Sequence, residues 1–123
     1  MSRCQLALTM ATRQRWGSYV TDAPWLHRSR TGKLLMIWSS FGRGGYMVGI
    51  AESTSGKLAG PWVQQATPLY GDGGGHGMLF RRFDGQLMMV LHKPNDGGRE
   101  RAHLFEIDDL GHTLRVRAPF PAP

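Results

Sequence analysis

Asp22-Ala-Pro-Trp-Leu-His-Arg-Ser-Arg-Thr-Gly-Lys-Leu-Leu-Met36 has a counterpart 53 positions on, Gly75-His-Gly-Met-Leu-Phe-Arg-Arg-Phe-Asp-Gly-Gln-Leu-Met-Met89. Leu26, Arg28, Gly32, Leu34 and Met36 recur as Leu79, Arg81, Gly85, Leu87 and Met89 without a gap. Further along, Gly56 recurs as Gly111 with two residues inserted. Each copy opens with an apolar run, a glycine turn and a second apolar run. Short runs bounded by turn residues read as antiparallel strands.

Working outward, the first copy reads as strands Trp25–Ser29, Lys33–Ser40, Tyr46–Glu52 and Lys57–Gln64. Lys33–Ser40 is almost continuously apolar, which predicts burial on both faces. Lys57–Gln64 contains Pro61, which an edge strand tolerates. The second copy reads as Met78–Phe83, a hairpin turn at Asp84-Gly85, Gln86–Lys93, Ala102–Asp108 and His112–Arg117. Four antiparallel strands repeated about every 50 residues are the signature of propeller blades. The fold class is therefore all-β, with two four-stranded antiparallel blades at about 18–65 and 75–118. Residues 1–17 read as a poorly assigned lead-in, and residues 119–123 as a frayed tail. Propellers close with typically four to eight blades. A pair leaves apolar blade faces open, so the chain reads as a piece of a longer protein or as a self-associating one.

Between the copies lies Gly71-Asp-Gly-Gly-Gly-His-Gly-Met78. Glycine at this density permits positive φ and close backbone approach. One reading delivers His76 to a central point. The others are a flexible loop and a hydrogen-bonded structural histidine. A dinucleotide cradle needs a helix next, and strand, turn and strand follow instead. The repeat sets Asp22 and His76 just before the first strand of neighbouring blades. That strand lines the central channel of a propeller, so both residues would face the axis.

The 123 residues suffice for one domain with a modest core. A hydrophobic content of 41% excludes a disordered chain. The net charge is +6, but the basic residues are scattered with no run above two. That pattern reads as solvated charge and not as a nucleic-acid face. The one cysteine, Cys4, excludes an intrachain disulfide and any zinc motif. No apolar run approaches the roughly 18 residues of a membrane helix. Met1–Ala11 is too short for a signal peptide and lacks a cleavage context.

Several segments in order resemble glycoside hydrolase family 43, the five-bladed propeller arabinanases and β-xylosidases. They are Tyr19-Val-Thr-Asp22-Ala-Pro-Trp-Leu26, Gly32-Lys-Leu-Leu-Met-Ile-Trp-Ser-Ser-Phe41, Gly45-Tyr-Met-Val-Gly-Ile-Ala-Glu-Ser53, Gly60-Pro-Trp62, Gly74-Gly-His-Gly-Met78, Phe83-Asp-Gly-Gln-Leu-Met88 and Leu91-His-Lys-Pro-Asn95. The likeness runs from about Ser18 to about Asp108 and is to the last two blades of the catalytic domain, a C-terminal fragment. It implies inverting hydrolysis of arabinofuranosyl or xylosyl bonds in plant polysaccharides. It also implies an extracellular or periplasmic setting for full-length members. Inversion needs a carboxylic acid and a carboxylate base roughly 6.5–9.5 Å apart, and the family adds a tuning Asp.

By this resemblance Asp22 stands at a catalytic carboxylate, though the family's acid is usually Glu before Gly-Pro or Ala-Pro. The alternative is an Asp bonding its own turn before Pro24. His76 matches the channel histidine, near or on a central calcium, although calcium prefers oxygen ligands. Trp25 and Trp38 offer sugar-stacking faces or core packing. His92 and Asn95 are candidate cleft lining, and Asp72, Asp84 and Asp96 read as turn residues. Met1–Gly17 contains no Asp or Glu, so the chain carries at most one of three required carboxylates. The expectation is therefore a hydrolase part that is inactive by itself. The alternative is a non-catalytic carbohydrate-binding or assembly half-propeller. No nucleic-acid or membrane partner is expected.

Overall fold

The structure, a computed structural model, describes residues 20–122. The lead-in over 1–17, with Cys4, lies outside the described residues. Eight strands follow in order: β1 (Asp22–Arg28), β2 (Leu34–Gly42), β3 (Gly45–Ser53), β4 (Trp62–Gln64), β5 (Gly75–Arg81), β6 (Leu87–Lys93), β7 (Arg101–Asp109) and β8 (Leu114–Phe120). They form two four-stranded antiparallel sheets, β1-β2-β3-β4 and β5-β6-β7-β8. The first strand of the second sheet, β5, lies against β1, β2 and β3 of the first.

Alternation builds the interior. Side chains two apart share a face of a strand. Leu35 and Ile37 of β2, and Val48 and Ile50 of β3, meet Leu79 of β5 and Leu87, Met89 and Leu91 of β6. Phe105 and Ile107 of β7 and Leu114 of β8 complete one core shared by both sheets. Along β2 the opposite face is also covered: Leu34, Trp38 and Ser40 are buried as well. The apolar run is thus buried on both faces, as its composition predicts.

The repeat is visible in the backbone. Gly32 and Gly85 both take positive φ, +87° and +91°, at equivalent hairpins. Each first strand carries a bulge at the equivalent place, between Asp22 and Trp25 and between Gly75 and Met78. Each bulge holds a non-glycine residue at positive φ, Ala23 at 47° and His76 at 59°. Alanine there is strained by its Cβ. Ala23→Gly is therefore expected to raise stability by up to about 1 kcal/mol, and Ala23→Val to lower it. Thermal unfolding of the two variants checks this.

Three boundaries differ from the sequence expectation. The expected strand over Lys57–Gln64 shortens to β4, because Gly60 turns at φ +82° and Trp62 Nε1 donates back to the Leu58 carbonyl at 3.0 Å. The stretch expected as a frayed tail begins with paired residues. Pro119 lies opposite Phe105 and Phe120 opposite Leu104, on the edge strand where proline costs little. Asp22 and His76 sit inside β1 and β5, not before them, because each precedes or occupies a bulge within the strand.

The sheets are also clasped by polar groups. Asp109 Oδ2 accepts from His27 Nε2 at 3.0 Å and from the Arg30 N–H at 2.9 Å. Its Oδ1 accepts from the Gly111 N–H at 2.9 Å. Arg30 Nε donates to the Asp109 carbonyl, and Thr31 Oγ1 to the Gly111 carbonyl, each at 3.0 Å.

Candidate active site

The bulges set two residues of different sheets beside one another. Asp22 pairs with Ser39 in the β1–β2 ladder. Ser39 is fully buried, and its Oγ accepts the backbone N–H of His76 at 2.8 Å. That bond crosses from the second sheet to the first, and it anchors the exposed His76 at its strained φ.

Tyr46 opens β3 and is only 4% exposed. Its hydroxyl donates to Asp22 Oδ2 at 3.0 Å. Burial, together with the hydrogen bond and charge of Asp22, pushes the Tyr46 hydroxyl up to about 12. Tyr46 therefore stays a neutral donor across the physiological range. The ring has close neighbours on several sides. Phe41 lies 5.0 Å away and tilted, while the His92 ring stacks at 5.4 Å with 20° between planes. The third is Gly75, where a Cβ would fall 2.4 Å from Tyr46 Cε1. Here the absent side chain makes room for an aromatic ring.

His92 extends the group. Its ring lies 6.1 Å from that of His76, 29° from parallel. Its Nε2–H donates to Asn95 Oδ1 at 3.1 Å, which fixes the ring's orientation. Asp22, Tyr46, His92 and His76 thus form one contiguous cluster at the end of the sheets where β5 begins. A hollow of about 480 Å³ opens along Phe41, Arg43, Met47, Gln64 and Pro68, and none of the four cluster residues lines it.

The sequence-expected residues fare differently. Asp22, His76 and His92 come together. Trp25 lies beyond the bulge, 37% exposed and paired with Ile37, and its ring remains available for stacking. Trp38 is corrected: it is 3% exposed, and its Nε1 donates to Gln64 Oε1 at 2.8 Å. It belongs to the interior of the first sheet and presents no sugar platform. Tyr46 and Ser39 were missed. Among the described residues no three His, Cys, Asp or Glu converge on a point. Calcium takes roughly six to eight oxygen ligands, so these residues alone do not fit it.

Among solved structures, the chain is similar to an endo-arabinase from Bacteroides thetaiotaomicron, at 38% identity with a TM-score of 0.64 over 84% of this chain and 33% of that one. It also superposes on a thermostable family-43 glycoside hydrolase, at 22% identity with a TM-score of 0.67 over 84% of this chain and 37% of that one. The fold is that of the family 43 glycoside hydrolases. A third similar structure is an endo-1,4-beta-xylanase from Bacteroides thetaiotaomicron, at 21% identity and a TM-score of 0.63 over 80% of this chain and 38% of that one. The chain spans about a third of the length of each. No family model matches the sequence, and no curated protein does. In family 43 terms the two sheets are two propeller blades, and the cluster lies where their inner strands begin.

Proposed function

We propose that these two blades are part of a glycoside hydrolase that cleaves arabinofuranosyl or xylosyl linkages of plant polysaccharides with inversion. Asp22 is one of its carboxylates. The carrying observation is that Asp22 is held by Tyr46 beside two histidines, in a fold shared with an endo-arabinase at 38% identity. Inverting hydrolysis needs two carboxyl groups roughly 6.5–9.5 Å apart across the sugar. Among the described residues the cluster holds a single carboxylate, so these blades by themselves do not turn over. His76 and His92 line the cleft, and Trp25 offers a stacking face to a sugar ring.

The test pairs the intact mass of the native polypeptide with assays on arabinan and xylan. Expected is a product well above 13.7 kDa that hydrolyses one of the two. Asp22→Asn in it should lower kcat by about 10²–10⁴-fold, while the 123-residue chain shows no turnover. A 13.7 kDa native product without turnover, binding arabino-oligosaccharides regardless of Asp22, would replace this reading. The single carboxylate favours that second reading, a carbohydrate-binding half-propeller. Hydrolysis by the 123-residue chain that is lost in Asp22→Asn would overturn its predicted inactivity.

A further inference from the structure

Resting on that reading, we propose that the hollow beside the β2–β3 hairpin is a subsite for a uronic-acid residue of the polysaccharide, its carboxylate held by the Arg43 guanidinium and its ring by Phe41.

Two segments wall the hollow. One is the tip of the β2–β3 hairpin, with Phe41, Arg43 and Met47, and the other is the chain leaving β4, with Gln64, Gln65 and Pro68. Backbone bonds fix the two together. The Gln65 N–H donates to the Ile50 carbonyl at 2.9 Å, and Val48 and Tyr70 exchange N–H···O bonds of 2.8 and 3.1 Å. At the tip, the bare Cα of Gly44 lets the hairpin close on the Gly71 carbonyl. The cleft is therefore formed before any ligand arrives. Its volume of about 480 Å³ lies within the roughly 300–1,000 Å³ usual for small-ligand sites.

The wall is chemically selective. Gln64 already accepts from Trp38 and donates to the Ile50 carbonyl. Gln65 donates to the His112 carbonyl and accepts from Thr113. Every other arginine among the described residues donates to a carbonyl or a carboxylate of the chain. Arg43 is exposed and donates to none of the described residues, and residues 1–19 contain no Asp or Glu. Asp72, next to the wall residue Gly71, is engaged by Lys93 at 3.4 Å. A guanidinium presents a planar fork that takes a carboxylate through two parallel bonds. Phe41, Met47 and Pro68 add apolar surface, and an aromatic ring suits the apolar face of a sugar. A bare anion would leave that surface uncovered, and a neutral sugar would leave the cation unpaired.

Phe41 also joins the hollow to the cluster. Its ring tilts against Tyr46 at 5.0 Å, and Tyr46 holds Asp22. Asp22 pairs with Ser39, which pairs with Val48 close to the hairpin tip, so cluster and hollow share one end of the first blade. A sugar chain lying across the cluster thus reaches Arg43 with a charged branch.

The test is calorimetric titration of the 123-residue chain with xylotriose bearing one glucuronic-acid branch, and with plain xylotriose. Expected is about 10–100-fold tighter binding of the acidic sugar, the worth of charge-assisted hydrogen bonds, with NMR shifts at the Arg43 Nε–H and the Phe41 amide. Arg43→Ala should bring the two sugars to equal affinity. Arg43→Lys should keep part of the preference, because a point charge lacks the fork. Circular dichroism should be unchanged in both variants, since Arg43 is exposed. Equal affinities in the wild type, or a preference that survives Arg43→Ala, overturn the proposal. So does full displacement of the acidic sugar by an equal concentration of acetate, which reduces the hollow to a bare anion site. The readout is binding without turnover. Loss of the charge preference leaves the hydrolase reading standing, and a chain that never hydrolyses can still show the preference.

Discussion

Ile37→Ala is expected to cost about 2–5 kcal/mol, a large share of the roughly 5–15 kcal/mol that holds a domain of this size together. Ile37 is fully buried in the middle of β2. Its Cδ1 packs over Gly77, where a built Cβ would meet Met89 Sδ at 3.3 Å, Val48 Cγ2 at 3.4 Å and Ile37 Cδ1 at 3.5 Å. Residues from both blades thus close on one bare Cα. Removing three carbons from this place leaves a hole that neither rigid sheet can move to fill. Urea unfolding of wild type and variant measures the difference. A loss below about 1 kcal/mol would mean that the blades do not share this core.

The second large effect is Asp109→Ala, expected to cost about 2–4 kcal/mol. Three donors lose their acceptor at once: His27 Nε2, the Arg30 N–H and the Gly111 N–H. The side chains of Asp109 and His27 are only 10% and 11% exposed, so water replaces little of what is lost. This site also makes stability depend on pH. Burial works to raise the Asp109 carboxyl, but the hydrogen bonds from His27, Gly111 and Arg30 outweigh it and hold the group below the usual carboxylate range. A carboxyl depressed in the folded state stabilises fully above its unfolded value, about 3.9. That contribution is lost as pH falls through the folded value. Unfolding midpoints should therefore be level near neutrality and fall below about pH 4, with a shallower fall in Asp109→Ala. Equal slopes in the two proteins would remove Asp109 from the acid response.

Much of this architecture was legible because it repeats. Leu26, Arg28, Gly32, Leu34 and Met36 recur at one fixed offset, and the structure keeps that offset down to the bulges and the paired glycine turns. Alternation and turn residues act locally, so the strands could be read one by one. The site was legible only in part. Asp22, His76 and His92 stand out as polar residues among apolar and glycine neighbours. Tyr46 does not, because its contact with Asp22 depends on strand register and on an opening left by Gly75 from the other blade. Neither is visible in one sequence. Trp38 misled for a related reason. An indole in a two-face-buried strand looks the same in sequence as one on an open face, and only the Gln64 acceptor across the sheet settles which it is.

Ala23 is the first blade's counterpart of His76. Both occupy the left-handed position of a bulge on an inner strand, at φ 47° and 59°. The backbone of the first blade is therefore already shaped as a port that presents a side chain in the manner of His76, and here it is filled by a methyl group. Because this geometry is carried by the strand and not by the residue in it, chemistry at the mouth of the two blades can be rewritten at one position without redrawing the scaffold. A duplicated fold of this kind keeps a spare socket wherever one copy has specialised and the other has not.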